Sequence, residues 1–247
     1  MEVILPRLRS ALRYLSWADP PYKWRVRRSS CPNCGRAWFV GLRPSAFMTR
    51  CISCGANCTN MALIPVIQGH MQSRKVTSAY ELSTYGATLE WLRRHVPEVT
   101  TSEYFSGEPL GAMVNGMLNQ DVQQLTFPAE SFDLVTSNQV FEHVPDDVKG
   151  YSECYRVLRP GGALVFSVPM HDFPETRRIA EIVDGKTIIY EPEYHDSRLG
   201  GPKSALAFWR HSIHDLSQRV ASVGFTAELL DVPIANRVTK VLYAVKG

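Results

Sequence analysis

The sequence predicts an α/β protein: a doubly wound, mostly parallel sheet preceded by a small cysteine-rich module. Three observations carry this. From about residue 76 onward, short apolar β-rich runs alternate with amphipathic helical runs. Five of the six cysteines fall between Cys31 and Cys58. Charge divides in the same way: residues 1–60 hold ten Lys/Arg against two Asp/Glu, a balance of +8, whereas residues 61–247 hold seventeen against twenty-two, a balance of −5. A basic quarter and a mildly acidic remainder mark two units, expected at 1–65 and 66–247.

The N-terminal unit reads CPNCG at 31–35 and CISCG at 51–55. Each pair can turn two sulfurs toward one ion, and four thiolates suit a closed structural Zn2+ site held by Cys31, Cys34, Cys51 and Cys54. The glycine after each second cysteine permits positive φ and exposes backbone N–H groups to the sulfurs. Cys58 is either an alternative to Cys54 or a spare thiol. The two knuckles resemble a zinc ribbon. Basic residues interleaved with Trp24, Trp38 and Phe39 could hold a phosphate backbone and stack bases. The same aromatics would equally serve the small module's own core, and four thiolates on zinc offset part of the charge.

Along the second unit, Ser78–Leu82 is a short strand and Ala87–Val96 a helix that Pro97 ends. Val99–Phe105 is β-rich and Phe132–Ser137 reads as a buried strand. Pro145, Asp146 and Asp147 open a helix, with the proline in its first turn and the acids at the positive end of its dipole. Pro160-Gly161-Gly162 stops that helix, and Ala163–Val168 is the next strand. Asp184-Gly185 between β-branched runs signals a hairpin. Ser212–Val223 is a helix, and Thr226–Val232 with Val238–Val245 forms a closing antiparallel hairpin at the sheet edge. Cys154 lies on the apolar face of its helix and belongs to the core. No apolar run is long enough to span a bilayer. Arg7, Arg9 and Arg13 interrupt the first apolar segment, so a cytoplasmic location is expected.

The segment FDLVTSNQVFEHVPDDVKGYSECYRVLRPGGALVFSVP (132–169) resembles class I S-adenosylmethionine-dependent methyltransferases, and the resemblance extends more weakly over 76–247. It implies a seven-stranded Rossmann-like sheet with an antiparallel last strand, and S-adenosylmethionine as cofactor. In the stretch Tyr80–Ala87, Glu81 takes the place of the family's first-motif acid and Gly86 is the one glycine present; two further glycines of the family pattern are missing. Glu103 matches the ribose-binding acid. Asp121 matches the acid at the adenine amino group, with the Val122 N–H beside it. Asn138 and Gln139 stand where the methionine part of the donor would lie. His143, after the fourth strand, and His195, in a polar insertion beside Asp196, are the candidate bases for an acceptor hydroxyl; His171 is a third. Phe208 and Trp209 either wall an acceptor pocket or pack in the core. The resemblance thus points to methyl transfer to an oxygen of a small-molecule or glycan-like acceptor. The alternatives are an RNA methyltransferase docking through the basic ribbon, and a non-catalytic scaffold of the same fold.

Overall fold

A computed structural model describes residues 25–41, 43 and 45–247. Trp24 and the N-terminal arginines named above lie outside the described residues. The first unit is a three-stranded antiparallel sheet of β1 (Arg25–Arg28), β2 (Trp38–Gly41) and β3 (Thr49–Cys51). Gly35 and Gly55 both take positive φ, near 70°, as their positions require. Their N–H groups, however, bond the carbonyls of Cys31 and Cys51 rather than the sulfurs. Phe39 is fully buried, so the base-stacking role open to it in the sequence is closed; Trp38 alone of the pair is exposed.

The main sheet has eight strands. In spatial order they are β17 (Phe225–Ile234), β18 (Arg237–Lys246), β9 (Leu158–Ser167), β8 (Phe132–Asn138), β4 (Ser78–Glu81), β5 (Glu98–Glu103), β7 (Met117–Asn119) and β6 (Met113–Val114). The expected count was seven. The eighth arises because Asn115 and Gly116, both at positive φ, fold the chain back into a two-residue turn between β6 and β7. Pairs β4–β5, β4–β8, β8–β9 and β5–β7 are parallel, and β18 is antiparallel to both β9 and β17.

Strand alternation divides the core between the two faces. Ala79, Leu134, Ala163, Val165 and Val241 pack on one side. Tyr80, Val135, Leu164, Phe166 and Leu242 pack on the other. The first face is covered by α1 (Cys58–Met61), α2 (Leu63–Ser73) and α3 (Ala87–His95). The second is covered by α4 (Asp147–Val157) and α5 (Leu216–Ala221). Helix α2 was not foreseen, and it runs through the expected boundary at residue 65. Cys31, Phe39, Cys51, Cys58 and Met61 share one buried cluster with Leu134, Ala163 and Val241, so the cysteine module is packed directly onto the sheet.

Three local expectations change. Asp146 is the N-cap of α4, its side chain accepting from the Lys149 N–H, so Pro145 precedes the helix instead of standing in its first turn. Pro160-Gly161-Gly162 does not separate helix from strand. β9 starts at Leu158, directly after α4, and absorbs the three residues as a register irregularity opposite Phe132–Leu134. The last helix is also shorter than expected, because Trp209–Ser212 forms β16, held between β10 (Met170–His171) and β11 (Arg177–Arg178). Between β11 and β16 stand two hairpins, β12 (Ala180–Val183) with β13 (Lys186–Ile189), and β14 (Tyr194–Ser197) with β15 (Gly201–Leu206). Cys154 is buried in the core, as the helix face required.

Two polar locks set the frame. At the amino ends of the parallel strands, Asp133 accepts from Thr77, Ser78 and Arg159. Burial opposes its charge, but these donors hold its carboxyl far below the usual range. On the α4 face, Asp147 is fully buried and receives Arg219 at 2.6 and 3.0 Å and His211 at 3.2 Å. Burial alone would raise this carboxyl; His211 and Arg219 outweigh it and lower it. Asp147, read from sequence as a helix-dipole acid, therefore ties α4 to α5 and β16.

Candidate active site

In an open α/β sheet, ligands bind where loops leave the carboxyl ends of the strands. Here those ends gather most of the candidate residues. Glu81 closes β4 and is 1% exposed. Its Oε1 accepts from Ser83 Oγ at 2.8 Å and its Oε2 accepts a short bond from Thr136 Oγ1. Burial pushes its carboxyl up to about 7, against the two hydroxyl bonds that lower it. Glu103 closes β5, and its Oε1 accepts from the Thr84 N–H at 2.9 Å and Thr84 Oγ1 at 2.6 Å. Its Oε2 has no hydrogen bond among the described residues. The family's missing glycines thus have a physical counterpart: Ser83 and Thr84 fix the loop through their hydroxyls, one to each acid. Thr84 was not singled out in the sequence, although its hydroxyl beside a strand-end acid was a signal.

Gly86 ends this loop as the N-cap of α3, with φ 117° and open space where a Cβ would stand. Its conformation, not crowding, demands glycine. Asn138 and Gln139, at the exit of β8, both bond Ser167 at the end of β9: Ser167 Oγ donates to Asn138 Oδ1 at 2.8 Å, and the Gln139 N–H donates to the Ser167 carbonyl at 2.8 Å. Asn138 Nδ2 also reaches the Thr59 carbonyl, and Thr88 Oγ1 donates to the Asn60 carbonyl at 2.7 Å. The cysteine module's trailing helix therefore abuts the same strand ends.

A cleft of about 620 Å³ is lined by Tyr104, Asp121, Gln123, His143, Arg178 and Phe208, with Tyr104 directly following Glu103. Asp121 Oδ1 accepts from the Gln123 N–H at 2.8 Å, which shapes the turn after β7. The Val122 side chain is turned into the core. Tyr104 is 59% exposed directly after Glu103; an exposed aromatic following a strand-end acid was a legible signal that went unread. Phe208 lines the cleft, whereas Trp209 is buried and donates to the Val144 carbonyl at 2.9 Å.

His143 and His195, 52 residues apart, meet: His195 Nδ1 lies 3.3 Å from His143 Nε2. Hairpin β14–β15 brings His195 over the strand ends, and its Arg198 lies over the Tyr85 ring at 4.9 Å. His143 Nδ1 lies 2.8 Å from the Leu206 carbonyl, which assigns the ring proton to Nδ1 and leaves Nε2 its lone pair. Glu142 is 1% exposed and faces both rings. His195 is raised above its ordinary value by Glu142 first and by Glu193, against burial. A histidine so flanked by acids favours its protonated form, so less of it stands ready as a free base than the sequence implied. His171 is apart from this pair, stacked on Phe173.

The four sulfurs of Cys31, Cys34, Cys51 and Cys54 converge within 4.8 Å of one another. Cys31–Cys54 is 3.8 Å and Cys34–Cys51 is 3.7 Å. Ligands about 2.3 Å from a tetrahedral ion stand about 3.8 Å apart, so the donor set and its spacing fit zinc. Cys58 lies outside the cluster, with its thiol directed at the Ile234 carbonyl and pushed up to about 12 by burial.

Comparison with known proteins agrees with this architecture. Residues 81–166 match the methyltransferase domain family. A crystal structure of an S-adenosylmethionine-dependent methyltransferase from Mesorhizobium loti superposes with a TM-score of 0.50 at 16% identity, covering 75% of this chain and 98% of that one. The fold is thus the Rossmann-like methyltransferase fold, and residues 81–166 within it are similar to the methyltransferase domain family. Among curated relatives, the ubiquinone biosynthesis O-methyltransferase of Coxiella burnetii is 39% identical over 54 residues, 22% of this chain and 23% of that protein. The malonyl-[acyl-carrier protein] O-methyltransferase 1 of the same organism is 28% identical over 145 residues, 59% of this chain and 45% of that protein. The chain therefore spans less than half the length of these relatives. No helix among the described residues is long and apolar enough to cross a membrane.

Proposed function

We propose that this protein transfers a methyl group from S-adenosylmethionine to an oxygen of a small-molecule or glycan-like acceptor. The observation that carries the reading is the gathering of Glu81, Gly86 and Glu103 at the carboxyl ends of adjacent strands, with His195 meeting His143, which lines a cleft. The donor supplies an electrophilic methyl on a sulfonium. Glu103 would hold ribose hydroxyls through its open Oε2, while Thr84 occupies Oε1. Gly86 and the start of α3 would allow the backbone to approach the donor. Asp121 and the Val122 N–H would face the adenine, and Asn138 and Gln139 the methionine part. His143 and His195 would handle the acceptor hydroxyl, with alignment in the cleft lowering the barrier. The two O-methyltransferase relatives support oxygen as the acceptor atom.

The test is methyl transfer from labelled donor to a panel of phenolic, sugar and carboxylic-acid acceptors. Turnover on one of them, lost in the His143→Ala and His195→Ala variants, is the expected result. Full turnover in both variants would remove the histidines from the mechanism.

The N-terminal unit is proposed to hold one structural Zn2+ on Cys31, Cys34, Cys51 and Cys54, consistent with their 3.7–3.8 Å contacts. A metal-binding cysteine cluster fits a reducing compartment, which supports a cytoplasmic location. One observation favours RNA as a second reading of the acceptor: every residue of the ribbon strand Arg25–Arg28 is exposed, three of them arginines. RNA binding whose affinity falls steeply with salt would favour it.

A further inference from the structure

Glu142 poses a problem that the methyl-transfer reading does not solve. It is 1% exposed, and neither carboxylate oxygen has a hydrogen-bond partner. A buried carboxylate left without partners is destabilising as a neutral acid and more so when charged. What faces it is specific. His143 Nε2 and His195 Nδ1 each lie 3.7 Å from Glu142 Oε1, and they lie 3.3 Å from one another. The first two distances are too long for good hydrogen bonds. They are the separations of ligands around one ion: donors about 2.1 Å from a tetrahedral centre stand about 3.4 Å apart.

The outer partners are also in place. The carbonyl of Leu206 fixes the His143 tautomer that presents Nε2. Glu193 Oε1 lies 3.1 Å from His195 Nε2, which turns Nδ1 inward, and Arg210 Nε in turn anchors Glu193 at 2.6 Å. Imidazoles oriented by a carbonyl and by a carboxylate are the usual surroundings of metal-ligating histidines.

We propose that Glu142, His143 and His195 form a divalent first-row cation site, separate from the four-cysteine cluster. Two imidazole nitrogens and one carboxylate oxygen suit Zn2+, Fe2+ or Mn2+ better than Ca2+ or Mg2+. Three protein ligands leave at least one coordination position open, as catalytic rather than structural sites do. His143 lines the cleft, so that position is reached from the cleft. A cation there would bind the acceptor oxygen and lower its pKa. This last role rests on the methyl-transfer reading; the cation site itself does not.

The experiment counts metal in the full chain after loading with Zn2+ and exhaustive desalting. Wild type is expected to hold two equivalents, and Glu142→Gln and His195→Ala one each. Glu193→Gln is expected to weaken the second equivalent about 10- to 100-fold in a chelator competition. His195 is half-buried on a hairpin, and the equivalent retained by the cysteines reports that each variant is folded. Loading with Co2+ separates the sites spectroscopically: the second equivalent should add weak visible bands without further thiolate charge transfer. One equivalent in wild type, unchanged in both variants and carrying only the thiolate spectrum, would overturn the proposal. Donor binding measured on the same samples keeps the two readings apart, because the metal count needs no donor.

Discussion

Glu81 gives the sharpest test of how the site's electrostatics are built. Its carboxyl is pushed up to about 7 from an ordinary 4.5, first by burial, while Thr136 and Ser83 partly offset the shift. The folded chain therefore holds a proton that the unfolded chain releases between these two values. The associated stability is full below pH 4.5 and is lost as pH rises through 7. A shift of this size is worth about 3 kcal/mol at 1.36 kcal/mol per unit. Because unfolded Glu81 is already partly ionised at pH 5, the change between pH 5 and pH 8 is about 2.5 kcal/mol. Glu81→Gln keeps the shape and an acceptor for Thr136 but cannot ionise. Urea unfolding of both proteins at pH 5 and pH 8 isolates the effect, since every other titrating group cancels in the difference. The variant should gain about 2.5 kcal/mol on wild type between the two pH values. A wild-type-to-variant difference that stays constant within about 0.5 kcal/mol would refute the claim that burial governs this group.

Three further outcomes follow from the same structure. Asp147→Asn leaves Arg219 and His211 facing a neutral amide, and should cost about 3 kcal/mol in denaturant unfolding. Gly86→Ala forces a Cβ onto a φ of 117°, and should cost about 1–3 kcal/mol and weaken donor binding, with no new clash. Cys34→Ser should lose the ribbon's metal and lower the temperature of one cooperative transition rather than melt the ribbon alone, because Cys31, Phe39 and Cys51 share their core with Leu134 and Val241; two separate transitions in calorimetry would contradict that.

Much of this was legible in the sequence because it depends on local chemistry. Alternating apolar runs placed β4, β8, β9 and α4 within a few residues, and the two C-x2-C pairs placed four sulfurs that do converge. Glu81, Gly86 and Glu103 were singled out through the family resemblance, and they stand at the end of β4, at the N-cap of α3 and at the end of β5. What stayed hidden depends on distant partners. Nothing near His143 in sequence announces His195, which arrives on a hairpin 52 residues later. Glu142 stands beside His143 in the sequence, but its burial with both oxygens unpaired is visible only in the fold. Asp147 carried a valid helix-dipole reading, yet Arg219, 72 residues away, decides its role. The PGG run was misread for a related reason: a strand irregularity is set by the neighbouring strand, not by the residues that accommodate it.

The strand-end acids are expected to form a donor site despite the irregular first-motif loop. Calorimetric titration of the metal-loaded chain with S-adenosylmethionine, and then with its demethylated product, reads this out. Saturable binding at micromolar strength is expected, with a loss of at least about a hundredfold in Glu103→Ala, where charge-assisted bonds to the ribose and to Thr84 disappear together. No saturable binding at millimolar donor, or unchanged affinity in Glu103→Ala, would show that these acids do not hold the donor.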